Sequence, residues 1–334
     1  MTDLNRIQGC LIGGGAGDAL GYAVEFDGES RIFRTYGPEG IREYERKDGV
    51  GRISDDTQMT LYTAEALVLE GTPIENIYHA YLDWLKTQRW PGGQATVGRY
   101  TWLNSVPELN YPRAPGNTCL AALRSGNAGS VAEPINNSKG CGGVMRVAPI
   151  GLLDTMPRLE LVKLGAEAAA VTHGHGLGYL PAAALVSMVH TLSHTEATVP
   201  DAVDIALGDL AAMFPDDPEL ENMQNILAEA VRRSGEDISD LEGIHALGEG
   251  WVGEEALAIA VFCALRHPED FAAGIIAAVN HKGDSDSTGA IAGNLLGARL
   301  GLSGIPEHFV RDLELRDVIL EVADDLHRGR TTRT

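Results

Sequence analysis

Ser54-Asp55-Asp56-Thr57 and Asp284-Ser285-Asp286-Ser287-Thr288 concentrate carboxylates and hydroxyls in two short runs far apart in the chain. Hard divalent cations take oxygen ligands of these types. Each run leads directly into apolar residues at helical spacing: Met59, Leu61, Tyr62, Ala64 and Leu67 after the first, Ile291, Ala292, Leu295 and Leu296 after the second. Each oxygen set would therefore stand at the start of a buried helix, where free N–H groups orient carboxylates. Two such half-sites can close around one pair of cations. Capping alone accounts for either run, since Ser, Thr and Asp are favoured N-caps and Asp suits the first turn. The second run lacks the Gly and distant Glu of a calcium-binding loop. Together they point beyond capping, because an Asp pair buried without a cation is costly.

The elements that must position these residues are helices. Apolar residues recur at three- and four-residue spacing near 4–21, 57–70, 73–88, 158–171, 177–193, 218–233, 252–265, 268–280, 285–300 and 313–327. Thr72-Pro73 and His267-Pro268-Glu269 read as helix starts, and Gly71 and Gly301 as stops. Alternating runs are scarce; 28–48 is expected to hold a short hairpin or an ordered loop. The Pro- and aromatic-rich segment 90–118 reads as a long ordered loop, a kind that is usually functional. No repeat or linker divides the chain. The expectation is one all-α domain over 1–328 in which the two acidic clusters meet, and a frayed tail over 329–334.

Glycine-rich windows come next. Gly13-Gly14-Gly15-Ala16-Gly17-Asp18-Ala19-Leu20-Gly21 has no preceding strand, so it fails as a dinucleotide fingerprint. A small-residue helix face packed against another helix is the better reading, because Gly in a helix costs about 1 kcal/mol and needs a reason. Glu25 follows, and its carboxylate either enters a site or is solvated. In Lys139-Gly140-Cys141-Gly142-Gly143-Val144-Met145-Arg146, exposed backbone N–H groups could line a pyrophosphate, with Lys139 and Arg146 adding positive charge. A tight turn without a ligand is the plain alternative. His173 and His175 lack the partner set of a zinc site and suit a polar turn or a substrate contact. Trp251, in a Gly-flanked turn, suits either stacking on a ligand or the core.

Composition excludes some partners. With 334 residues, 44% hydrophobic and 22% charged, the chain can bury a large core. Its formal net charge of −21 and the lack of a basic patch argue against nucleic acid. No run reads as long and apolar enough to span a membrane. Cys10, Cys119, Cys141 and Cys263 form no C-x-x-C pair and read as reduced thiols of a cytoplasmic protein.

Taken in order, Gly9 to Gly13, Gly17 to Gly21 with Glu25, Ser54 to Thr57, Gly140 to Pro149, Thr172-His173, Gly250-Trp251 with Glu254 to Leu257, and Gly283 to Ser287 resemble the ADP-ribosylglycohydrolase family. That family includes the dinitrogenase reductase-activating glycohydrolase and the ADP-ribosylarginine hydrolases. The resemblance spans nearly the whole chain. It implies a compact all-helical, orthogonal bundle with two magnesium or manganese ions in a central cleft, held by Ser54, Asp55, Asp56, Asp284, Asp286 and Ser287. Ser287 stands where relatives usually carry Thr and keeps the hydroxyl. Glu25, Asp55, Asp56 and Asp286 become the catalytic carboxylates. Gly140, Cys141, Gly142, Gly143 and Met145 become the diphosphate side of the substrate site, with His173 and Trp251 along the substrate. Many relatives carry Asp-Ile-Gly in the loop after the third helix, and Thr96-Val97-Gly98 is the local match here.

The implied activity is hydrolysis of ADP-ribose from modified proteins, with arginine as the first acceptor and serine or another O-linked residue as the second. ADP-ribosyl-arginine is an N-glycoside that breaks through oxocarbenium-like charge. A non-catalytic ADP-ribose-binding or toxin-neutralising module is the alternative, and a phosphate-ester hydrolase is a weaker third, since paired metals serve that chemistry too.

Overall fold

The computed structural model describes residues 3–89 and 92–333. Sixteen α-helices and one two-residue hairpin make up the regular structure among them. In chain order the helices are α1 (Leu4–Gly21), α2 (Glu29–Tyr36), α3 (Asp55–Ala66), α4 (Pro73–Thr87), α5 (Asn117–Arg124), α6 (Ala148–Gly151), α7 (Arg158–Ala170) and α8 (Gly176–His194). They continue with α9 (Val199–Met213), α10 (Leu220–Ser234), α11 (Asp240–Leu247), α12 (Gly253–Arg266), α13 (Phe271–Val279), α14 (Ser285–Leu300), α15 (Glu307–Arg311) and α16 (Arg316–Arg328). The hairpin pairs β1 (Arg46–Lys47) with β2 (Val50–Gly51).

The centre of the molecule is the pair α1 and α14. Gly9, Gly13, Gly17 and Gly21 line one face of α1 at four-residue spacing. They meet Gly297, Gly293, Gly289 and Ser285 of an antiparallel α14. A Cβ on Gly17 would fall under 3.0 Å from the carbonyl of Gly289, and one on Gly293 from the carbonyl of Gly13. The backbones thus touch where side chains would normally separate them. The glycine window is a packing face.

The other elements wrap this pair. α8 is long and apolar enough to cross a membrane by length and composition, which the sequence reading passed over. It is instead a core helix: Leu180, Leu185, Val186, Met188 and Val189 are fully buried. The expected hairpin or loop at 28–48 contains α2, with the hairpin displaced to its end. The helix expected to start at Pro268 begins at Phe271, capped by the Asp270 side chain. Between α4 and α5 the described residues form short 3-10 turns and loop, while positions 90 and 91 of the expected loop lie outside the described residues. The segment expected to fray makes specific contacts: Arg333 bonds both oxygens of Glu321 at 2.6 Å and lies over the Trp102 ring.

Substituting Gly17 or Gly293 by Ala forces the two backbones apart. The expected loss is about 1–3 kcal/mol of stability or more, measured by urea denaturation. Gly208, mid-helix in α9 with nothing near its Cβ, is the control. Gly208→Ala should stabilise by roughly 0.5–1 kcal/mol.

Candidate active site

Both half-sites stand at helix N-termini, as the sequence pattern predicts. Ser54 caps α3 by accepting the Asp56 N–H at 3.2 Å. Asp284 precedes α14 but makes no capping bond, leaving its carboxylate for another use. Asp286 accepts the Ser287 N–H at 3.0 Å.

The α1–α14 contact brings the half-sites together. Asp18 projects from α1 and binds the start of α3: it accepts Ser54 N–H at 2.9 Å, Thr57 N–H at 3.0 Å and the Thr57 hydroxyl. A second brace lies behind. Asp55 N–H donates to Arg113 O at 2.9 Å, the Arg113 guanidinium pairs with Glu314 at 2.8 Å, and Glu314 accepts Ile53 N–H at 3.1 Å. Gly116 N–H donates to Asp55 Oδ2 at 3.2 Å.

A cleft of about 480 Å³ results, within the size range of small-molecule sites. Glu25, Asp55, Asp56, Asp284, Asp286 and Ser287 line it. So do Gly140, Cys141, Gly142, Met145, His173 and Trp251. Ser54 and Gly143 are buried beside the cleft rather than on its wall. Gly143 packs on the Gly178 carbonyl.

Other expectations change. Arg146 is fully buried and bonds Ala168 O and Thr172 Oγ1, over the Tyr81 ring. Lys139 is paired with Glu254. Neither lines the cleft. The Gly140, Cys141 and Gly143 N–H groups are bonded to Ser138 Oγ, Trp251 O and Gly140 O, so the turn offers fewer free donors than its glycines suggest. Those bonds tie it to the start of α12, where Gly140 also bridges Val252. Thr96-Val97-Gly98 lies in a separate cleft beside Tyr100 and Arg333. The loop that reaches the acidic cleft is Ala114-Pro115-Gly116, which has no carboxylate. Asp18, Phe26 and the 114–119 segment are site elements that were not anticipated from the sequence. Asp18 had a visible signal, a lone acid amid the small and apolar residues of α1.

Electrostatics favour cations here. Burial, and next the charge of Asp286, push Asp55, Asp56 and Asp284 well above the usual carboxylate range. Burial raises Asp286 as well. Glu25 is pushed up to about 10, by burial first and then by Asp286. Asp18 is pushed up to about 7 for the same two reasons. Burial drives His173 down to about 3, so its ring is neutral. Among the described residues, the buried oxygens Glu25 Oε2, Asp56 Oδ2 and Asp284 Oδ2 have no hydrogen-bond partner. Carboxylate oxygens of Glu25, Asp284 and Asp286 lie within 4.8 Å of one another. Orphaned oxygens in an oxygen-only donor set fit hard divalent cations.

The ADP-ribosylglycohydrolase family profile matches residues 1–334. The chain belongs to that family. It is similar to the ADP-ribosyl-dinitrogen reductase glycohydrolase of Rhodospirillum rubrum, at 26% identity over 93% of this chain and 91% of that one. It is also similar to ADP-ribosylhydrolase ARH3 of Homo sapiens, at 25% identity over 97% and 93% of the two chains. A solved structure described as an ADP-ribosylglycohydrolase-related protein complex shares the fold, with a TM-score of 0.67 over 98% of each chain and 24% identity. The family assignment makes the chain a hydrolase that removes ADP-ribose, with a buried acidic cluster able to hold metal.

The pKa shifts predict a pH dependence. An acid with a higher pKa when folded holds its proton more tightly in the folded state. Its stabilising contribution is full below the unfolded pKa and is lost as pH rises toward the folded one. The windows run from 3.8 to about 7 for Asp18 and from 4.5 to about 10 for Glu25. In chelator, the melting temperature should therefore fall between about pH 5 and about pH 9, less steeply for Glu25→Gln. Magnesium should flatten or reverse the slope, because cations bind the deprotonated site. A flat profile in chelator would contradict this electrostatic reading.

Proposed function

We propose that the protein is a metal-dependent hydrolase that releases ADP-ribose from modified proteins, with arginine as the acceptor side chain. The observation that carries this reading is the meeting of five carboxylates from three chain segments in one cleft, with three of their buried oxygens unpartnered. O-linked serine is the second candidate acceptor.

In this reading Ser54, Asp55, Asp56, Asp284, Asp286 and Ser287 would hold two divalent cations, Mg²⁺ first and Mn²⁺ second. Such cations supply Lewis-acid charge that fixes ribose hydroxyls and a water. Asp18 and the Arg113–Glu314 pair hold Asp55 and Asp56 in place. Opposite charge nearby lowers carboxylate pKa values, which leaves Glu25 ionised and able to accept a proton. The water oxygen bonds to the anomeric carbon as the bond to the guanidine nitrogen breaks. That nitrogen keeps the electron pair. The water's proton passes to Glu25 and then to the leaving guanidine, so the products are ADP-ribose and protonated arginine. The Gly140–Gly142 turn and Met145 border the diphosphate, with neutral His173 beside them.

The test is release of ADP-ribose from an arginine-ADP-ribosylated protein in magnesium, in manganese and in chelator. Release should require the metal. Asp55→Ala and Asp286→Ala should each lower it at least about 100-fold, the scale for losing preorganised charge at a reacting centre. Tight ADP-ribose binding without release from arginine- or serine-linked substrates would favour a non-catalytic binding or toxin-neutralising module. Release of inorganic phosphate would point to a phosphate-ester hydrolase.

A further inference from the structure

Two large aromatic rings stand exposed at the mouth of the acidic cleft. Phe26 is 74% exposed and Trp251 is 41% exposed. Their centroids are 6.4 Å apart, with planes 21° from parallel. Exposed aromatics gathered at a cleft mark an interaction site more often than chance placement. Both rings ride on fixed backbone. Val24 N–H and Asp27 N–H close turns just after α1, onto Gly21 O and Val24 O. Gly250 N–H donates to Glu255, and Trp251 O accepts Cys141 N–H.

The cleft that they border carries five carboxylates and, among the described residues, no Lys or Arg. Glu25 directly precedes Phe26 in the chain, and its buried Oε2 is unpartnered. Aromatic faces attract a cation within roughly 6 Å of the ring centroid. A flat cation set against both rings is within that reach of each. A carboxylate can meet the edge of such a cation through paired N–H donors. Faces for the plane and a carboxylate for the edge are together the recognition chemistry of a guanidinium.

Position decides between the two ends of the substrate. Adenine lies beyond a ribose, a diphosphate and a second ribose from the reacting carbon. Phe26 is one residue from Glu25. A group held beside Glu25 is therefore on the leaving-group side. We propose that Phe26 and Trp251 form a clamp that selects a guanidinium leaving group, with Glu25 at its edge. The proposal deepens the arginine-hydrolase reading and rests on it. A serine leaving group is small and neutral and gains nothing from the clamp.

The experiment uses the full chain with magnesium. It compares arginine- and serine-ADP-ribosylated peptides with wild type, Phe26→Ala, Trp251→Ala and the conservative Phe26→Tyr and Trp251→Phe. Calorimetry gives the affinity for free ADP-ribose, and circular dichroism checks folding. Each Ala variant should lower the arginine-to-serine ratio of kcat/KM about tenfold, through KM, while ADP-ribose affinity holds within about threefold. The conservative variants should restore the ratio. An unchanged ratio, or ADP-ribose affinity falling as far as arginine kcat/KM, would overturn the clamp and place the rings on the nucleotide. If wild type releases ADP-ribose from neither peptide, the hydrolase reading fails separately. The clamp is then judged by agmatine: quenching of fluorescence that vanishes in Trp251→Phe supports it, and no quenching overturns it.

Discussion

The close approach of α1 and α14 is the constraint on which the rest depends. Glycines every four residues on both helices let the backbones meet. Any wider spacing would carry Asp18 and Glu25 away from Asp284 and Asp286. The small residues are thus the reason that two clusters separated by more than 200 positions can share one cleft. Gly17 and Gly21 face Gly289 and Ser285 at the end nearest the carboxylates, so backbone-to-backbone packing reaches the edge of the cleft.

That geometry creates an electrostatic problem. Six acids, counting Asp18, repel one another in a buried space, and burial disfavours each ionised form. Without cations the site relieves the strain by taking up protons. On the reading proposed above, cations would keep Asp55, Asp56, Asp284 and Asp286 ionised and take them as ligands. Hydrogen bonds fix only part of the set. Asp18 is saturated with donors from α3, whereas Glu25, Asp56 and Asp284 each keep a bare oxygen. The bonded acid is built into the frame, and the bare oxygens face the work.

Local signals made much of this legible. The long apolar helices were readable from spacing, and α1 and α14 match the expected 4–21 and 285–300. The two oxygen-rich runs were readable because hydroxyls and carboxylates clustered at helix starts. Other helices escaped for varied reasons. α2 has only eight residues and buries only Ile32, so it is too short for an apolar spacing to repeat. α9 and α11 each open with a capping box, Thr198 with Asp201 and Ser239 with Glu242, a signal present in the sequence but left unread. Nonlocal facts were not legible at all. Nothing local says that Gly17 opposes Gly289, that Arg146 turns inward beneath Tyr81, or that Ala114-Pro115-Gly116 reaches the cleft while Thr96-Val97-Gly98 does not.

The central claim is that helix apposition builds one paired-cation centre from two half-sites. Anomalous diffraction from crystals soaked in manganese tests it most directly. The account predicts two manganese peaks in the cleft, between Asp55 and Asp56 on one side and Asp284 and Asp286 on the other. A cleft without manganese, or manganese only on the outer acidic surface, would contradict it.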